Sequence, residues 1–470
     1  MYNPSSTHAG EFIDHEEVLE SLAEAARESK NAARVQEILE KAARCKGLTH
    51  REAAILMDCE DPALEEKIFK LAEEIKHKFY GNRIVLFAPL YLSNYCVNGC
   101  VYCPYHAKNR SIPRKKLSQE EIAEEVRALI RIGHKRLAVE AGEDPVHNPL
   151  EYILDSIRTI YSVREGGNSI RRVNVNIAAT DVESYRKLRE AGIGTYILFQ
   201  ETYNKEQYEK LHPTGPKSNY CWHTEAMDRA QEGGCDDVGI GVLFGLAGYR
   251  YELVGLLMHA EHLEARFGVG PHTISVPRIC PADDVSPEDF DALPDSIFRK
   301  LVAVLRLAVP YTGMIVSTRE SARMREQLLH CGISQISGGS RTSVGGYTSV
   351  ERHDETAQFD VSDTRPLDEV VRWLLENKHI PSFCTACYRE GRTGDRFMSL
   401  CKSGKISLCC TPNALMTLKE YLMDYASPAT RAAGEALIEA SLSDIPLERT
   451  REITRARLQS IENGERDFRF

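Results

Sequence analysis

No stretch of this 470-residue chain approaches the ~18 continuous apolar residues that a membrane span requires. Its first residues, MYNPSSTHAGEFIDHEE, have neither the basic opening nor the apolar run of a secretory signal. Basic charge is also short. The 59 Lys and Arg face 69 Asp and Glu, a net charge of −10, which argues against a nucleic-acid partner because phosphate binding needs a basic face. Local clusters such as Arg114-Lys115-Lys116 lie among acidic helical patterns and read as solvated surface. Disulfides are a further expected absence: fourteen cysteines without an export signal point to metal binding or catalysis. The expectation is a cytoplasmic protein in a reducing compartment, with no membrane partner.

Two or three units, or one large barrel with extensions, suit this length. Residues 14–80 carry apolar residues at helical spacing, Thr49-His50-Arg51-Glu52 reads as a capping box, and Gly81 as a helix stop. From residue 83 short β-rich runs alternate with amphipathic stretches. The runs are 83–92, 136–143, 172–179, 195–203, 238–245, 272–279, 313–320 and 333–340. Eight such pairs predict an α/β fold, a complete (βα)8 TIM-type barrel, rather than a doubly wound open sheet. The expected organisation is a helical N-terminal extension at 1–82, a barrel at 83–350, and a mostly helical C-terminal cluster-binding domain at 351–470. No internal repeat beyond the βα unit is visible.

Chemistry in such a barrel sits at the C-terminal ends of the strands. Just after the first run, SNYCVNGCVYCPYH places Cys96, Cys100 and Cys103 within eight positions, and no fourth cysteine follows before Cys221. A structural zinc site needs four ligands, and recruiting His106 would make a cramped loop. Iron–sulfur clusters are usually held by four thiolates, so three leave one iron open. An open metal position is a catalytic arrangement.

The C-x3-C-x2-C spacing with Tyr102 before its last cysteine resembles the signature of the radical S-adenosylmethionine (SAM) superfamily. That resemblance implies a [4Fe-4S] cluster on Cys96, Cys100 and Cys103, with SAM chelating the open iron. It further implies that Gly142 and Glu143 contact the SAM amino group, although Ala141 stands where the family has glycine. Gly239, Gly241 and Gly245 would let the adenosine approach the backbone.

A second set, Cys384, Cys387 and Cys410, forms C-x2-C-x22-C, with Cys401 and Cys409 nearby. Alone it leaves zinc and iron–sulfur open. Together with the barrel it resembles the tyrosine-lyase family of [FeFe]-hydrogenase maturases. This resemblance implies a second [4Fe-4S] cluster on Cys384, Cys387 and Cys410, extended by a fifth, labile iron through a bridging L-cysteine, with His272 as candidate ligand. L-tyrosine would be the substrate, its carboxylate held by Arg319 or Arg341 with help from Ser317, Ser337 or Ser340. The products would be p-cresol and dehydroglycine, the latter crossing the barrel to become CO and cyanide. A ferredoxin or flavodoxin would supply electrons, and other hydrogenase maturation proteins would be partners. Two alternatives remain: the tyrosine lyase of thiamine thiazole biosynthesis, which lacks the second motif, and a non-catalytic zinc scaffold.

Overall fold

The computed structural model describes residues 1–285, 290–349 and 355–470. Eight strands form the barrel: β1 (Arg83–Ser93), β2 (Arg136–Ala141), β3 (Arg172–Asn176), β4 (Tyr196–Ile197), β5 (Val238–Gly241), β6 (Thr273–Ser275), β7 (Gly313–Val316) and β8 (Gln335–Ser337). All pair in parallel with their sequence neighbours, and β1 pairs with both β8 and β2, which closes the ring. Seven of the eight expected runs extend beyond the regular strand. Their second halves are the loops that line the barrel mouth.

A ninth strand, β9 (Ile380–Ser382), was not legible in the sequence; only three residues long and carrying Pro381, it lacks the alternation of a strand. It pairs in parallel with Arg83–Val85, whose Val85 also faces Gln335 of β8. β9 therefore occupies the other edge of β1, below the point where β2 begins at Ala88. This brings the chain to the barrel floor just before Cys384.

The N-terminal helices behave as their spacing predicts. Asp14, Asn31 and Asp61 each cap a helix, Thr49 and Glu52 complete the capping box, and Gly81 ends helix Pro62–Tyr80 at a φ of 57°. These helices pack over barrel helices Tyr249–Phe267 and Asp295–Ala308. Tyr249–Phe267 is covered on nearly all sides, which explains its weakly amphipathic sequence. The expected 350/351 domain boundary lies outside the described residues. The helix following β8, Leu367–Glu376, lies beyond that boundary in sequence. No helix among the described residues is long and apolar enough to cross a membrane.

Residues 355–363 run across the barrel mouth. Backbone amides of Gln358, Asp360 and Ser362 donate to the carbonyls of Thr342, Pro281 and Thr318. Asp363 anchors the far end: it pairs with fully buried Arg325, which also donates to the carbonyl of Ser337 in β8, and with Arg365 at 2.6 Å. Removing the carboxylate strands a buried guanidinium, so Asp363→Ala is expected to cost about 3–5 kcal/mol, seen as a lowered thermal unfolding midpoint.

Two candidate cysteine centres on one barrel axis

The upper centre grows from the end of β1. Residues 94–106 leave the strand as an irregular loop, and one side chain holds it together. The guanidinium of Arg114 donates to the carbonyls of Asn94, Tyr105, His106 and Asn109 at 2.7–3.1 Å. Asn98 donates to Glu143 at 2.6 Å and Val97 N–H to the Glu143 carbonyl, tying the loop to the end of β2. Gly142 sits at the crossing. A Cβ there would meet the Tyr95 carbonyl oxygen at 2.3 Å, so only glycine lets the two loops approach.

A cavity of about 160 Å³ opens over this loop, lined by Cys96, Cys100, Cys103, Tyr102, Gly142 and Glu143 among others. Burial raises all three thiols, Cys100 to about 12 and Cys103 to about 11. As free thiols they stay protonated; a metal's positive charge is what makes such groups thiolates. Among the described residues no three His, Cys, Asp or Glu side chains converge as a single ion requires. A four-iron cluster instead spreads its thiolates over different irons, and the three-thiol loop fits that demand. Tyr102 is buried with its hydroxyl 2.7 Å from His212 Nε2.

Gly239, Gly241 and Gly245 do not line this cavity. Cβ atoms there would strike Thr273, Phe199 and Ile279 respectively, so close packing inside the barrel accounts for them. Leu243 from the same segment does line it. Sequence reading also missed Glu201 and Lys217. They pair at 2.8 Å in the cavity wall, and Glu201 adopts a φ of 69°, a strained conformation of the kind that clusters at functional sites. Burial opposes the Lys217 charge, but Glu201 beside it holds the group above the usual lysine range. No motif marks this pair; only the fold brings them over the loop.

A middle cavity of about 100 Å³ continues down the lumen and shares Tyr91, Glu140, Asn176 and Arg319 with the upper one. Arg319 stacks over Phe359 at 3.6 Å and donates to Cys280 Sγ at 3.2 Å. Ser317 and Ser337 line the same space. Arg341 and Ser340 line neither cavity, and the Ser340 hydroxyl is buried without a partner among the described residues.

The lower centre lies at the floor. A cavity of about 90 Å³ is lined by Cys384, Cys387, Cys410, His272, Tyr388 and Cys401 among others. Its wall on the strands is made by Val85, Arg136, Gly313 and Gln335, each two residues below Phe87, Ala138, Ile315 and Ser337 of the middle cavity. The two spaces thus follow one another by a single inward layer. Arg136 donates to the Cys384 carbonyl at 2.9 Å. Burial raises Cys384 and pushes Cys387 to about 11. His272 Nε2 is 3.2 Å from the Tyr388 hydroxyl, and its Nδ1 lies 3.4 Å from Asp237 without a hydrogen bond. Burial lowers its pKa and keeps the ring neutral, the form that binds metal. Three half-buried thiols and an under-partnered imidazole fit an iron–sulfur group here too. Cys409 does not line the cavity.

Comparison with known proteins agrees with this architecture. Residues 90–257 match the radical SAM superfamily, and residues 275–379 the biotin and thiamin synthesis associated domain. A crystal structure of HydG, described as a maturase of the [FeFe]-hydrogenase, is 55% identical with a TM-score of 0.95, covering 98% of this chain and 100% of that one. This chain belongs to the HydG family of radical SAM proteins. HydG from Carboxydothermus hydrogenoformans is 38% identical with a TM-score of 0.84, covering 96% and 99%. The 2-iminoacetate synthase of Escherichia coli is 28% identical over 337 residues, 72% of this chain and 87% of that protein. Membership in the family implies a [4Fe-4S] cluster and SAM. If Gly142 is essential to the loop crossing, Gly142→Ala lowers iron per chain by about four after anaerobic reconstitution, one cluster's worth.

Proposed function

We propose that this protein is a radical SAM tyrosine lyase that cleaves L-tyrosine to p-cresol and dehydroglycine, then converts the small fragment to CO and cyanide for an Fe(CO)(CN)–cysteine precursor of the [FeFe]-hydrogenase active site. The observation that carries this reading is the pair of three-cysteine centres at opposite ends of one lumen, with a chamber between them. Bound at Cys96, Cys100 and Cys103, a [4Fe-4S] cluster with SAM would supply a 5′-deoxyadenosyl radical to the upper cavity. Gly142 and Glu143 are the candidate contacts for the SAM amino group.

The chain's own residues do the rest. Among the described residues Arg319 is held by Phe359 and Cys280 rather than by a carboxylate, which leaves its fork for the substrate carboxylate. Ser317 adds a hydroxyl in the same space. Strands and the 355–363 segment keep water from the reacting atoms. The upper and middle cavities share lining residues and the lower one begins one inward layer below, so the fragment's route downward would cross that single layer. At the floor, Cys384, Cys387 and Cys410 would hold the second cluster, and His272, with a bridging L-cysteine, the fifth iron. Electrons would come from a ferredoxin or flavodoxin, and the product would pass to other hydrogenase maturation proteins.

The tyrosine lyase of thiazole biosynthesis has no use for the lower centre, so the gathering of Cys384, Cys387 and Cys410 favours the maturase. The deciding variant is Cys410→Ser. It should still form p-cresol from tyrosine and lose CO; unchanged CO output would sink the role given to the lower centre. Arg319→Ala should raise KM for tyrosine roughly 100-fold, as loss of a bidentate charged contact implies, with reductive SAM cleavage retained.

A further inference from the structure

Few charges remain in the lumen once the cysteine centres are set aside. Among the described residues, Tyr91, Glu140 and Arg319 are the only ionisable side chains lining the middle cavity, and all three also line the upper one. Glu140 stands in one layer of the barrel with Tyr91 of β1 and Asn176 of β3, its register partners on either side. The Asn176 amide beside it and the Arg319 charge both favour its ionised form. A carboxylate offers roughly four acceptor sites, so one amide leaves most of them facing the cavity.

An α-amino acid carries an ammonium and a carboxylate on one carbon. Its site needs an acceptor and a cation that are close together but not spent on each other. Glu140 and Arg319 meet that condition at the junction of the two cavities. We propose that Glu140 receives the α-amino end of the substrate and accepts one of its ammonium protons, so that a neutral amine faces the upper centre. This rests on the tyrosine-lyase reading and adds its missing base. The transfer balances without a further reactant: the ammonium N–H bond breaks, an O–H bond forms on Glu140, and the nitrogen keeps the electron pair. Burial holds the Glu140 carboxyl well above the usual carboxylate range, while Asn176 and Arg319 pull it back; an ammonium placed beside it favours the ionised form, and that carboxylate is then basic enough to take the proton.

The test compares Glu140→Gln and Glu140→Asp with the wild type in the cluster-loaded, full-length enzyme. Two ligands are titrated: L-tyrosine and 3-(4-hydroxyphenyl)propionate, which keeps the phenol and carboxylate but has no amino group. Loss of one charge-assisted contact should weaken tyrosine binding to the glutamine variant by roughly 10–100-fold and leave the analogue unchanged. Formation of p-cresol should fall, then recover about tenfold per pH unit as the amine loses its proton unaided. The other ionisable groups facing Glu140 are Tyr91, which burial holds far above its usual value, and Arg319, and guanidinium groups do not deprotonate in proteins. The aspartate variant, which keeps the charge, should outperform the glutamine variant. Equal weakening of both ligands, an aspartate variant worse than the glutamine one, or a p-cresol loss without recovery at high pH would overturn the assignment. Should the wild type make no p-cresol, the lyase reading falls, while the two-ligand comparison still reads Glu140 as an amino-group receptor or not.

Discussion

The structure depends on one strand serving three neighbours. β1 is eleven residues long, and its two edges are shared along its length: β8 on one side, β9 and then β2 on the other. Its upper end releases the loop bearing Cys96, Cys100 and Cys103. Its lower end receives β9, which leads directly to Cys384. Backbone hydrogen bonds in a parallel ladder fix relative height to within a residue. The two thiol centres are therefore held at a set separation along one axis, whatever the flanking helices do.

Around that axis the charges are arranged by burial. Arg114 is spent on loop carbonyls, Arg325 on Asp363, and Lys217 on Glu201. Among the described residues, Arg319 and Glu140 have no such partner. Structural ions in this interior are neutralised by one another or by backbone, as desolvation demands. The unpaired ones lie where a ligand would complete them.

Much of the fold was legible because period carries it. Alternation of short β-rich runs with amphipathic stretches counted eight βα units correctly, and the Thr49–Glu52 box and Gly81 marked real helix ends. The two cysteine sets stood out because closely spaced thiols have few uses besides metal binding, catalysis and disulfides. Gly239, Gly241 and Gly245 pack against Thr273, Phe199 and Ile279, contacts between segments far apart in sequence that a linear string does not display. Arg341 and Arg319 looked alike in sequence, each just past a strand, yet only Arg319 lines the lumen.

The sequence by itself determined the barrel, its two sets of three thiols and the family they resemble, because these reside in local period and spacing. Only the tertiary structure decided that the two sets share one lumen, that β9 carries the second to the floor, and that Glu140, Glu201, Lys217 and Arg319 surround the space between. Those residues come from separate strands and loops, and closure of the ring is what sets their distances. Single positions on eight strands have no spacing to read until the ring has closed.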